Sequence, residues 1–208
     1  MKLKRIVPGF VGSNCYILIN EGFAVVIDPS APTSEIMKVL ADESAKLLAI
    51  LLTHGHFDHM LSLERLRAEN PQAQVMIHAT DAELMSDGHK NAFYEFFKRD
   101  RDFGSPDRLL IEGDIISIGN EKLQVMHTPG HTSGSVCYRC RNLLFSGDTI
   151  MADGYGRCDL YSGNSARMNA TLNKLKSLAE KSPKLTIYPG HGEFALLSDA
   201  IEHISHIQ

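Results

Sequence analysis

The sequence predicts a mixed α/β sandwich, and three observations predict it. Ten short apolar runs read as strands and are interleaved with six segments of helical periodicity. At 208 residues, 43% hydrophobic and 22% charged, the chain is expected to form one compact domain, residues 1–208, around a sizeable core. Several of the apolar runs end in small or turn-forming residues followed by a His or an Asp, so polar side chains gather at strand ends.

Taken in order, the first strands are expected at Leu3 to Val7, Cys15 to Ile19 and Ala24 to Ile27, each closed by Pro, Asn or Asp-Pro. A helix follows over Ser34 to Asp42, with Ile36, Val39 and Leu40 on one face. Leu48 to Leu52 is an unbroken apolar run and reads as a buried strand. Met60 to Asn70 reads as a helix, with apolar residues at Met60, Leu61, Leu63 and Leu66. A strand at Val75 to Ile77 and helices at Ala79 to Leu84 and Ala92 to Lys98 complete the first half. The second half is strand-rich: Asp114 to Ile118, Lys122 to Met126, then a hairpin of Ser135 to Tyr138 with Leu143 to Phe145. A helix over Ala166 to Lys181, a strand over Leu185 to Tyr188 and a helix over Ser198 to His206 close the chain.

The segment Thr53-His54-Gly55-His56-Phe57-Asp58-His59 sets four metal-binding side chains into six positions between a buried strand and a helix. A loop there can aim them at one point, whereas a continuing strand would divide them between two faces. A helix start just beyond would add free N–H groups and a positive dipole end. Three later segments share the design of apolar strand, small residues, then one donor: His127-Thr128-Pro129-Gly130-His131, Phe145-Ser146-Gly147-Asp148 and Tyr188-Pro189-Gly190-His191. Donors at strand ends converge on one rim of a sandwich.

The order HxHxDH, His131, Asp148, His191, with the flanks HTPGHTSGS, GDT and PGHG, resembles the metallo-β-lactamase fold superfamily and within it the glyoxalase II-like hydrolases. The resemblance runs from about Gly12 to Gly192. It implies a four-layer αββα sandwich of two similar halves with metals at one edge between the sheets. By the same resemblance His54, His56 and His131 would hold a first metal, Asp58, His59 and His191 a second, and Asp148 would bridge them. Zinc suits this donor set, and iron or manganese accept it. Asp148 stands where the main antibiotic-degrading class carries Cys, and His56 is not the Glu of the flavodiiron oxygen reductases; both departures favour a hydrolase.

Two such cations would share and activate one water, so no Ser or Cys nucleophile is required, and Asp58 is the carboxylate expected to orient that water and shuttle its proton. Thr53, Thr128, Thr132 and the backbone carbonyls near Gly130 and Gly190 are expected to fix the imidazoles. The resulting expectation is a binuclear hydrolase of a thioester such as S-lactoylglutathione or a related acyl thiol. A mononuclear iron dioxygenase acting on a persulfide is the alternative, because such enzymes share similar strings. Asp153 to Leu160 resembles the GRxD-type segment that faces the thiol-peptide substrate, which marks Arg157 and Tyr155 as substrate-binding; Cys158 departs from the usual Thr or Ser. Gly192 to Gln208 follow His191, so most of the glutathione grip supplied by the helical domain of full-length glyoxalase II enzymes is expected to be missing, and glutathione selectivity is not expected to transfer.

A net charge of −4 without a basic block argues against a nucleic-acid surface, and a small-molecule substrate is the expected partner. No run approaches about 18 apolar residues and no signal-like segment opens the chain, so no membrane partner is expected and a cytoplasmic location is. Cys137 and Cys140 are nominally a CxxC, but they lie in a hairpin and not at a helix start, so a buried Cys137 and a turn Cys140 are expected. The aromatic segment Asn91 to Phe103 is open to three readings: a lid, a homodimer surface or ordinary packing. His78, His89, His127, His203 and His206 match no donor position.

Overall fold

The computed structural model describes residues 1–9 and 11–207, without the side chains of His206 and Ile207. Two six-stranded mixed sheets lie face to face with helices outside both, which is the αββα sandwich. The first sheet holds β1 (Lys2–Ile6), β2 (Cys15–Asn20), β3 (Phe23–Ile27), β4 (Lys46–Leu51), β5 (Gln74–His78) and β6 (Arg108–Leu110), in that spatial order. β1 to β3 pair antiparallel, and β3 to β6 pair parallel. The parallel steps need crossovers. α1 (Thr33–Asp42) carries the first and α2 (Leu63–Glu69) the second; α3 (Phe93–Phe97) lies in the third.

The second sheet is an antiparallel meander of β7 (Ile115–Ile118), β8 (Glu121–His127), β9 (Val136–Cys140) and β10 (Leu143–Gly147). α4 (Ser165–Lys181) then crosses over to β11 (Thr186–Pro189), parallel to β10, and β12 (Ala195–Leu196) adds the far edge before α5 (Leu197–Ile207).

Three apolar layers hold this stack together. One lies under α1 and α2, around Ile36, Leu40, Leu63 and Leu66. A second fills the space between the sheets, with Tyr16, Ile27, Leu51, Tyr138 and Phe145 fully buried. The third lies under α4 and α5, around Met168, Leu175, Ile187 and Leu197. β2 is buried along its whole length because both of its faces meet a core.

Local departures from the sequence reading have local causes. The helix expected from Met60 begins at Leu63, because the Ser62 N–H donates to the Pro29 carbonyl and its hydroxyl to that of Ala31, bending the chain first. Ala79–Ser86 winds as a 3-10 helix, and the segment expected from Ala92 keeps only Phe93–Phe97 between left-handed residues Ala92 and Lys98. β6 and β12 are edge strands of three and two residues, too short for a pattern. Cys140 is the last residue of β9 and is buried, not in the turn; its thiol enters the inter-sheet layer while Cys137 faces α4, so the two point to opposite faces. Among the described residues no helix is long and apolar enough to cross a membrane.

Two buried tyrosines cross between the sheets near their functional ends. Tyr16 of β2 donates its hydroxyl to the Pro189 carbonyl at 2.7 Å, and Tyr138 of β9 donates to the Leu52 carbonyl at 2.7 Å. Each accepting carbonyl lies two residues before a donor histidine, His191 or His54. Tyr138→Phe removes one of these bridges inside a dry layer and is expected to cost about 1–3 kcal/mol, read as a lower denaturant midpoint at unchanged slope. An unchanged midpoint would show that the bridge contributes nothing.

Candidate functional site

The loop after β4 turns through a 3-10 helix, Phe57–His59, and delivers His54, His56, Asp58 and His59 to the rim between the sheets. The loops after β8, β10 and β11 bring His131, Asp148 and His191 to the same rim. All seven residues read from the motifs therefore meet. His54 Nε2, His56 Nδ1 and His131 Nε2 form a triangle with edges of 3.1, 2.8 and 3.2 Å. Beside it, His191 Nε2 lies 3.1 Å from Asp58 Oδ2, and His59 Nε2 lies 3.8 Å from the same oxygen. Asp148 stands between the groups: its Oδ1 is 3.3 Å from His59 Nε2, and its Oδ2 is 3.6 Å from His131 Nε2 and 3.7 Å from His191 Nε2.

The outward nitrogens settle which inward ones are bare. Asp28, at the end of β3, accepts from the Thr53 N–H and hydroxyl at 2.8 and 2.7 Å, and its Oδ2 receives His59 Nδ1 at 2.8 Å. With its proton committed to Asp28, the Thr53 hydroxyl can only accept from His54 Nδ1, 3.2 Å away. His131 Nδ1 donates to the Arg157 carbonyl at 2.7 Å. In their neutral forms His54, His59 and His131 therefore turn unprotonated Nε2 atoms inward, the tautomers being assigned from these partners.

A second buried carboxylate fastens the loops themselves. Asp81 accepts from the Gly55 N–H at 3.0 Å, the Gly134 N–H at 2.7 Å and the Thr132 hydroxyl at 2.7 Å, tying the His54 loop to the His131 loop. Burial pushes its carboxyl up against these donors. Neither Asp28 nor Asp81 stood out in the sequence: Asp28-Pro29 reads as a turn, and Asp81 sits in a helix-like stretch. Of the expected supports, Thr53 and Thr132 act through these aspartates. Thr128 instead pairs with Thr149 at 3.0 Å, and the carbonyls of Gly130 and Gly190 accept from the Asn164 and Asn14 N–H groups. The Arg157 carbonyl, which has no sequence signature, does the work expected of those two. The helix dipole is likewise displaced, because α2 starts four residues beyond His59.

Glycines let the loops close on the donors. A Cβ on Gly190 would stand 2.3 Å from Asp148 Oδ1 and 2.6 Å from His59 Cε1, and one on Gly156 would stand 2.7 Å from His131 Nδ1. His127, by contrast, stacks on His78 at 4.1 Å and points Nε2 to the Ser133 carbonyl, apart from the cluster.

Burial holds His56 down at about 3, assisted by the charge of His131, and drives His54 well below its ordinary value for the same reason. At His59 burial also opposes the charge, but Asp28, Asp148 and Asp58 outweigh it and raise the imidazole. Burial likewise opposes ionisation of Asp58 and Asp148, and the neighbouring imidazoles, His59 foremost, overcome it and keep both carboxyls low. The hydrogen bond to Asp58 raises His191. The centre thus combines two imidazoles held uncharged, His54 and His56, with two drawn toward the charged form, His59 and His191, beside the carboxylates of Asp58 and Asp148.

These donors form the floor of a cavity of about 440 Å³ whose lining includes Tyr155 and Arg157. The Arg157 guanidinium is engaged by Asp159, Nε to Oδ1 and a terminal nitrogen to Oδ2, both at 2.6 Å. Phe96 and Phe97 of α3 pack on Phe57 at ring distances of 5.4 and 5.6 Å and also line the cavity, so the aromatic segment forms part of its wall.

Comparison with known proteins agrees with this architecture. A family model described as metallo-beta-lactamase superfamily matches residues 8–191. The chain is 35% identical over 179 residues to a probable polyketide biosynthesis zinc-dependent hydrolase of Bacillus subtilis, covering 85% of this chain and 72% of that one. It is 32% identical over 175 residues to a hydroxyacylglutathione hydrolase of Salmonella paratyphi A, covering 84% of this chain and 61% of the relative. A solved structure, TTHA1623 in a di-iron-bound form, superposes with a TM-score of 0.84 and 28% identity, covering 98% of this chain and 99% of that one. A family model that spans ten of the twelve strands and all four donor-bearing loops shows that the chain belongs to the metallo-beta-lactamase superfamily.

Proposed function

We propose that this protein is a binuclear metal-dependent hydrolase of thioesters, the class that S-lactoylglutathione represents. The observation that carries the reading is the facing of bare donors. Three imidazole nitrogens within 3.2 Å of one another cannot satisfy each other by hydrogen bonds when two of them have no proton to give. Buried His59 Nε2 and Asp148 Oδ1, 3.3 Å apart, make no well-aligned hydrogen bond. Such atoms are costly to bury unless a cation takes their lone pairs. The nitrogens of a tetrahedral ion with bonds of about 2.0–2.1 Å stand about 3.3 Å apart, near the observed triangle. The residues fit the group.

His54, His56 and His131 would hold one divalent ion, Asp58, His59 and His191 the other, with Asp148 shared. Zinc is the metal we favour, because imidazole and carboxylate suit it and the Bacillus subtilis relative is described as zinc-dependent; the di-iron form of TTHA1623 keeps iron in view. When bound, such ions lower the pKa of water and polarise a carbonyl, which supplies a nucleophile without a Ser or Cys. The chain's own part is positional and electrostatic. Asp28 holds the His59 ring, the Arg157 carbonyl holds His131, and Asp58, kept ionised by His59 and His191, offers its carboxylate on the cavity wall to orient a water and accept its proton. In the net reaction a water oxygen bonds to the acyl carbon, the C–S bond breaks, and the departing thiolate takes up a proton to leave as thiol. The hydroxyacylglutathione hydrolase relative supports thioester chemistry.

Elemental analysis of protein purified without chelator or metal-affinity capture is expected to return two metals per chain; a single iron would redirect the assignment to the persulfide dioxygenase and an oxygen-uptake assay. Asp58→Ala is expected to lower kcat on a hydrolysed thioester by about 10²–10⁴-fold, and retained turnover would remove Asp58 from the mechanism. Asp28→Asn leaves every donor in place but loosens His59, so metal affinity should fall about 10–100-fold in a competition titration with a chromogenic chelator. Undiminished affinity would mean that the 2.8 Å contact does not orient the ring.

A further inference from the structure

Resting on the thioester reading, we infer that the site selects a substrate with an apolar acyl chain on a thiol carrier that bears no carboxylate. The cavity above the donors is walled by Phe57, Phe96, Phe97, Met151 and Leu160, with Val11 at its edge. Several of these side chains are left open to solvent: Phe96 is 61% exposed, Val11 45% and Phe97 41%. Large apolar groups clustered around a reactive floor mark a ligand surface more than a solvated one.

The charges point the same way. Among the described residues that line the cavity, Arg157 is the one Lys or Arg, and Asp159 already claims it through two 2.6 Å contacts. A glutathione-like carrier brings two carboxylates, which need unclaimed cations; here the first would have to displace Asp159 and then remain beside it. The basic residues of the aromatic segment are turned to rings: Lys98 lies over Tyr94, Arg99 over Phe93 and Arg101 over Phe103, and none of the three lines the cavity.

The test uses the metal-loaded protein and two uncleavable thioethers sharing one chain, S-hexyl-N-acetylcysteamine, which is uncharged, and S-hexylglutathione. Calorimetry is expected to show the uncharged ligand binding about tenfold more tightly, and Phe96→Ala to weaken both ligands about fivefold. Asp159→Asn frees Arg157 and should tighten S-hexylglutathione alone, about fivefold. S-hexylglutathione binding as tightly as the uncharged ligand, or an Asp159→Asn variant that moves neither, would overturn the inference. So would a dimer dispersed by Phe96→Ala in sedimentation, which would assign the aromatic wall to subunit contact. Hydrolysis of the matching S-hexanoyl thioesters is scored separately: the expected ranking of thioethers with no hydrolysis of either ester removes the thioesterase reading and leaves the pocket assignment standing.

Discussion

The structure is organised around a repulsion. The imidazole nitrogens of His54, His56 and His131 are crowded to hydrogen-bonding distance in a buried rim, with too few protons to share. Left to relax, these groups would move apart or take up water. They stay because each is held from behind: His59 by Asp28, His131 by the Arg157 carbonyl, and the two histidine loops by Asp81. A site that prepays this cost is ready for cations, since the ordering of the donors does not have to be drawn from the binding step.

Holding the donors from behind requires that the two sheets keep their relative place, and neither sheet owns a complete set. The first sheet contributes the His54 to His59 loop, and the second contributes His131, Asp148 and His191. The Tyr16 and Tyr138 hydroxyls cross the inter-sheet layer in opposite senses, each gripping the strand end that feeds the other sheet's loop. Asn14 adds to the grip on the last loop, with its side-chain amide donating to the Pro189 and Gly192 carbonyls on either side of His191. The apolar layers supply the bulk of the association, while these few polar contacts set its register.

Much of this was legible in the sequence because the donor motifs are short and contiguous: four donors within six residues, and three more each preceded by glycine or a Gly-containing turn. The alternation of apolar runs and helical segments likewise announced the sandwich. What escaped were groups whose importance is conferred by distant partners. Asp28 matters because Thr53 and His59 arrive beside it, Asp81 because two loops meet over it, and the Arg157 carbonyl because any residue's backbone could have stood there. The late start of α2 was hidden for the same reason, since Ser62 is diverted by Pro29 and Ala31, thirty or so residues earlier in the chain. Backbone hydrogen bonds of this kind leave no compositional trace.

The spread of the donors along the chain has a consequence for biosynthesis. The first four leave the ribosome together, but their partners at 131, 148 and 191 follow much later. A nascent chain therefore displays a histidine-rich loop for the time needed to translate more than a hundred further codons, without the residues that define its geometry. Any ion captured in that interval is held by an incomplete and permissive set, and selection of the right metal is deferred until β11 docks against β10.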